Sequence, residues 1–274
     1  MNSSQESAPV NQTLAEHRPA PPHVIQECDA LKRRLALRTR ELELARHDLQ
    51  QFAYAASHDL QEPLRLVSGY VQLLQNRYRG TLDDKADGYI DYITGGVHQM
   101  QTMLHGLMEL SRVETRNAPF VLTRLDDALD HALNHLQTEL RLSGAQIIRN
   151  ALPEVVADVA QLALLFRHLI SNAIRFKSAE PPEIRLWANR EEIGWVVSVS
   201  DNGIGIPAKF AERVFVVFQK LHPRTEYPGI GMGLPLCKRI VERHGGRIWV
   251  EPRQEPGALV RFALPDAPAE EEPS

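Results

Sequence analysis

The sequence predicts an α+β fold in two parts: a long helical hairpin that dimerises into a four-helix bundle, followed by an α/β sandwich. Three observations predict it. Apolar residues recur every seven positions from Cys28 onward, the spacing of a self-pairing helix. A second apolar seam of matching length follows a short polar break. After Asn117, Ala118 and Pro119 the pattern changes to β-branched runs interspersed with helical stretches, which marks a domain boundary. At 274 residues the chain is long enough for about two domains, each with its own core.

Residues 1–27, rich in Ser, Gln, Pro and Ala, have too few large apolar groups to offset the entropy of ordering and are expected to form a disordered leader. Residues 28–117 carry the coiled coil and hairpin. Cys28, Leu35, Leu42, Leu49 and Ala56 fall at one seam position and Leu31, Ala45 and Phe52 at the other, with Arg38 the misfit. Leu60, Leu64, Val67, Val71 and Leu74 continue the seam, so one helix of about 50 residues is expected to run to Tyr78. Thr81 with Asp84 fits a capping box, after which Ile90, Ile93, Val97, Met100, Leu104 and Leu107 form the second seam. A hairpin with one apolar stripe buries it best against its own copy. Gly95 and Gly96 weaken the second helix, and the pattern does not explain them.

Residues 118–265 form the second domain. Thr123 with Asp126, and Asp158 with Gln161, fit capping boxes opening helices of about 20 residues each. Strands are expected at 183–188, 193–200, 246–251 and 258–265, and a helix from Leu236 to His244. Residues 266–274 are an acidic tail, also expected to be disordered.

The formal charge of −4 gives no positive field for a polyanion, which argues against nucleic acid as a partner. No run approaches the roughly 18 apolar residues of a membrane span, and the polar start lacks the middle of a signal peptide; a cytoplasmic chain that avoids the membrane is expected. Two cysteines, Cys28 and Cys237, are too few for a disulfide framework or a thiolate metal site.

His58 falls at a polar position of the first seam, where an exposed histidine needs no function to explain it. Asp59 beside it could hold one ring nitrogen and leave the other free as a nucleophile. Pro63, mid-helix, removes a backbone hydrogen bond and should kink the helix about a turn later. The segment Ser57-His58-Asp59-Leu60-Gln61-Glu62-Pro63-Leu64-Arg65 resembles the phosphoacceptor box of sensor histidine kinases, most of all the output modules of phytochrome-type kinases. The resemblance implies that His58 accepts the γ-phosphoryl group of ATP, with Asp59 as its acid/base partner, and that an aspartate on a response-regulator receiver protein then takes it.

Two glycine-rich segments suggest a phosphate-bearing ligand. Asp201-Asn202-Gly203-Ile204-Gly205 follows an expected strand, although an ordinary turn would explain it as well. Gly229-Ile230-Gly231-Met232-Gly233 precedes a helix, where bared amides bind phosphate. Upstream, His168, Asn172, Arg175 and Phe176 share one helix face. With Phe215 and Phe218, these elements occur in the order found in the ATP-binding domain of histidine kinases, the GHKL (Bergerat) fold shared with gyrase and mismatch-repair ATPases. By this resemblance Asp201 bonds the adenine amino group, Phe176 lies against the adenine, Asn172 holds Mg²⁺, Arg175 meets phosphate oxygens, and Gly203, Gly205, Gly229, Gly231 and Gly233 shape the cradle. Residues 208–228 would be a mobile lid with Lys220, His222 and Arg224 facing phosphate, though a solvated basic loop fits them equally.

The chain departs from the family at three positions. His168 stands where an Asn or acidic residue is common, Ile230 where a hydroxyl is common, and Glu62 where members that dephosphorylate their partner carry Thr or Asn. No light-sensing domain fits before Cys28, so input is expected from a separate sensor protein, if any. A non-catalytic dimeric adaptor or phosphotransfer protein with a degenerate ATP domain is the competing reading.

Overall fold

The computed structural model describes residues 22–115, 118–192, 194–223, 226–227 and 229–265. The tail at 266–274 and most of the expected leader lie outside the described residues, but helix α1 begins at Pro22, inside the stretch assigned to that leader. The chain divides into two units, residues 1–50 and 51–274. In the first, Leu31, Leu35 and Leu42 of the seam are exposed on the single chain, while the side chains of Cys28 and Leu49, and of Phe52 at the start of the second, lie outside the described set.

Helix α1 spans Pro22–Tyr78, and Pro63 lies inside it without ending it. Helix α2 spans Asp84–Thr115 and completes the hairpin. The cap between them is not the one expected: Asp83 Oδ1 accepts from Ala86 N at 2.8 Å, while Thr81 Oγ1 donates back to Tyr78 O at 2.8 Å. A carboxylate so placed satisfies one of the orphan amides of the first turn. Within the hairpin, Leu64, Val71 and Val97 form a small core joined by Leu104. Of the remaining seam residues, Leu60, Val67, Leu74, Ile93 and Met100 stay exposed on the single chain, and Ile90 and Leu107 are half-buried.

The sandwich begins with β1 (Val121–Arg124), paired antiparallel with β3 (Glu154–Ala157). A five-stranded sheet runs in the order β2-β4-β5-β7-β6, from β2 (Gln146–Arg149), β4 (Glu183–Glu191), β5 (Gly194–Asp201), β6 (Arg247–Val250) and β7 (Leu259–Leu264). Among the described residues only the β2–β4 pair is parallel. Helices α3 (Leu125–His135), α4 (Gln137–Ser143), α5 (Val159–Arg175) and α6 (Gly233–Arg243) complete the domain. The core lies between helices and sheet, where α5 buries Leu162, Leu165, Phe166, Leu169 and Ile170, with Phe166 edge-on to Phe262 of β7 at 5.9 Å.

Two expected caps resolve differently. Thr123 lies in β1, its hydroxyl donating to Val121 O and Ala157 O, and α3 starts after it with no side-chain cap. The helix expected there is also split at Leu136 into α3 and α4. Asp158 does cap α5, accepting from Ala160 N and Gln161 N, but the Gln161 side chain donates to Val113 O at 2.9 Å rather than closing a reciprocal box. Among the described residues no helix is long and apolar enough to cross a membrane.

Candidate functional site

A cavity of about 310 Å³ opens between α5, the C-terminal end of β5, the segment around 219–234 and α2. Helical periodicity brings His168, Asn172, Arg175 and Phe176 to its wall together, as their spacing requires. Asp201, the last residue of β5, faces them. Its Oδ1 accepts from Gly203 N (2.9 Å) and Ala258 N (3.0 Å), and among the described residues Oδ2 has no partner. Burial pushes the Asp201 carboxyl above its ordinary range, against the pull of those amides and of Arg253. Its outer oxygen is thus a desolvated acceptor, suited to an N–H donor on a ligand.

Gly205, Gly229, Gly231, Gly233 and Lys220 also line the cavity. At Gly231 the backbone is left-handed (φ +74°), and a side chain there would strike the carbonyl of Gln219, so only glycine lets the two segments cross this closely. Gly203 does not line the cavity; it supports it by donating to Asp201 and passing under the Phe176 carbonyl. Phe215 and Phe218 also lie outside the lining, Phe215 packing on the core and Phe218 donating its amide to Gly231 O at 3.1 Å. Over the outer end of the site, Phe176, His222 and Tyr227 form an aromatic group with ring centroids 5.1–6.3 Å apart, and Lys220 Nζ donates to Tyr227 O at 2.9 Å. Arg224 lies outside the described residues.

His168 is the unusual member. Its Nε2 is buried with no partner among the described residues, and burial, aided by Arg167 and Arg175, lowers its pKa to about 4, so the ring is neutral at ordinary pH. Asn172 offers an amide oxygen near Gly233. Among the described residues no group of three or more His, Cys, Asp or Glu could hold a metal. One amide oxygen fits Mg²⁺ that keeps waters and arrives with phosphates, the usual habit of that ion.

Nothing in the residue pattern marks the wall supplied by the hairpin: Thr102, His105, Gly106 and Glu109 of α2 also line the cavity. Gly106 is buried, and a Cβ there would lie 3.0 Å from Met232 Cγ and 3.1 Å from Ile230 Cδ1. Ile230 therefore packs into a notch in α2. Glu109 reaches Arg167 at 3.4 Å beside it. His58 is outside the cavity, on α1, its side chain 68% exposed and its Nδ1 3.3 Å from Asp59 Oδ1.

This arrangement has counterparts among known proteins. The His Kinase A (phospho-acceptor) domain matches residues 48–116, and the Histidine kinase-, DNA gyrase B-, and HSP90-like ATPase family matches residues 157–268. A phosphoacceptor hairpin followed by an ATPase-type sandwich defines the core of a histidine kinase, and the chain belongs to that family; ATP binding follows from the second match. More narrowly, it is similar to phytochrome-like kinases: 46% identical over 231 residues to Phytochrome-like protein Cph1 of Synechocystis sp. and 48% identical to Cyanobacterial phytochrome A of Nostoc sp.. Each alignment covers 84% of this chain but only 31% and 30% of the relative, so the chain spans less than a third of their length. The fold is that of the histidine kinase ThkA solved in complex with the response regulator protein TrrA, at TM-score 0.54 and 21% identity over 90% of this chain and 68% of that one.

Proposed function

We propose that the chain is an ATP-dependent protein-histidine kinase that autophosphorylates His58 and relays the phosphoryl group to an aspartate of a response-regulator receiver domain. The observation that carries the reading is the convergence of Asn172, Arg175, Phe176, Asp201 and the glycine loop on one cavity, in a chain whose hairpin presents an exposed histidine backed by a carboxylate.

In this reading Asp201 Oδ2 accepts from the adenine amino group and Phe176 lies against the base. Arg175, Lys220 and the amides at Gly229, Gly231 and Gly233 meet phosphate oxygens. The Asn172 oxygen bonds Mg²⁺ carried in with the nucleotide, and the ion supplies neutralisation of phosphate charge. Asp59 holds Nδ1 of His58 and accepts its proton as the other ring nitrogen attacks the γ-phosphorus. An N–P bond forms while the bond from that phosphorus to the bridging oxygen breaks, and ADP leaves. Because His58 does not line the cavity, the ATP domain must travel to it, with the linker at Ala118 and Pro119 as hinge; Asn117, expected to belong to it, lies outside the described residues. The exposed seam of the hairpin supports a homodimer. ThkA, solved with a response regulator, supports such a partner here, and a separate sensor protein completes the reading.

Incubation with γ-labelled ATP and Mg²⁺ should place acid-labile label on the parent chain and none on His58→Gln; label that survives acid, or equal label on both, would sink the assignment. The adaptor reading draws on one observation, that Ile230 is packed against α2 rather than offering a hydroxyl to phosphate. It predicts no label at all.

A further inference from the structure

Both flanks of the interdomain linker are tied to the first turn of α5. On the near side Gln161 Nε2 donates to Val113 O of α2 at 2.9 Å, a buried bond. On the far side Phe120 stacks on His244, centroids 4.4 Å apart and planes 8° from parallel. The Arg243 guanidinium lies 4.9 Å from the Phe120 centroid, donates to Ala118 O at 3.4 Å, and pairs with Asp158 Oδ2 at 3.2 Å.

His244 itself is fully committed. Its Nδ1 lies 2.7 Å from Ile240 O, an acceptor only, so Nδ1 carries the proton. Its Nε2 must then be the lone-pair side, and it accepts from Asp158 N at 3.1 Å. Asp158 is the residue whose Oδ1 caps α5.

We infer that Phe120, Arg243 and His244 clasp the linker to the cap of α5, and that His244 is thereby a positioning residue for the nucleotide carried by that helix. The inference rests on the reading above that Asn172, Arg175 and Phe176 of α5 hold ATP. The clasp is acid-labile, because a second proton on Nε2 would confront the Asp158 amide and leave it buried without an acceptor. Burial holds the imidazole below its ordinary value, outweighing the Ile240 carbonyl; of the charged groups facing the ring, Arg243 from α6 opposes that proton along with burial, and Asp158 from the start of α5 favours it. The neutral clasp is therefore complete above the ordinary histidine pKa and is lost as pH falls below it. Linker tension and acidity would act on the nucleotide through the same cap.

The test is titration of the full chain with a fluorescent ATP analogue and Mg²⁺ from about pH 8 to about pH 5.5, beside His244→Gln, whose amide oxygen can accept from Asp158 but cannot be protonated there. Affinity of the parent should fall more steeply on acidification than that of His244→Gln, and Phe120→Ala should weaken binding roughly threefold to tenfold at the higher pH with its helical content kept. Superimposable pH profiles, or parent-like affinity in Phe120→Ala, would overturn the clasp. Should His244→Gln fail to fold, the ¹⁵N signals of the His244 ring decide: a proton on Nδ1 is expected, and a proton on Nε2 at neutral pH refutes it. If Asp201→Asn and Asn172→Ala both bind the analogue as the parent does, the nucleotide reading fails instead. The clasp then stands or falls on amide exchange at residues 158–161, expected to speed up at low pH in the parent relative to its variant.

Discussion

The two parts of unit 51–274 bury their apolar residues to different degrees. The sandwich closes on itself: Phe166, Phe262, Leu125, Ile170 and Ile240 are fully enclosed by a single chain. The hairpin's own cluster is Leu64, Val71 and Val97, with Met108 and Val113 buried nearer the sandwich, and it leaves Leu60, Val67, Leu74, Ile93 and Met100 to solvent. The difference separates what one chain can complete from what needs a copy. The ATP-binding part owes its stability to its own core, whereas the phosphoacceptor part has an unspent apolar stripe whose burial, at about 25 cal/mol per Å², awaits association.

The sharpest way to break this contrast is chemical. His58→Gln should abolish labelling from γ-labelled ATP while leaving analogue binding unchanged; loss of binding as well would mean that the two parts are not separable in the way the packing implies. Next in size, Phe166→Ala should destabilise the sandwich by about 3–5 kcal/mol whatever the protein concentration, as read by denaturant unfolding. Exposed Leu74→Asp should instead make helical unfolding and sedimentation depend strongly on concentration, with a loss of several-fold in dimer affinity. A Leu74→Asp chain that sediments as the parent does would place the dimer seam elsewhere. A gentler probe is pH. Burial raises Asp201, so its ionised, accepting form is lost as pH falls, starting above the ordinary carboxylate range; in the His244→Gln background ATP affinity should still decline on acidification by up to about tenfold, and adding Asp201→Asn should abolish that decline. The smallest expected effect is from Gly106→Ala, where Met232 and Ile230 must give by a few tenths of an ångström; faster amide exchange at 229–233 is the readout.

Much of the site could be read from the chain because it is local. The four α5 residues share a face by helical period alone, and the glycine loops announce themselves by composition. The elements that escaped are those decided by neighbours. Strands β1, β2 and β3 have four residues each, too few for a period, and exist because β3 pairs with β1 and β2 with β4. Thr123 and Thr81 looked like caps, but a hydroxyl can donate to a backbone carbonyl as readily as accept, and both do so. Gly106, a weak point in a helix when read alone, owes its place to Ile230, far along the chain. His168, standing where an Asn or acidic residue is common in the family, is a neutral, desolvated ring beside Asn172, a state set by burial that the residue pattern does not carry.

The notch at Gly106 has a thermodynamic corollary. Thr102, His105 and Glu109 stand on the hairpin yet face the chamber of the sandwich, so a ligand there and the seat of α2 cannot be independent. By linkage, whatever factor an occupied chamber applies to the seating of α2, seating applies to the affinity of the ligand. A force that merely turns the hairpin would thus be felt as a change in effective ATP concentration, and a cell's adenine nucleotide level would in turn be felt by the hairpin as torque.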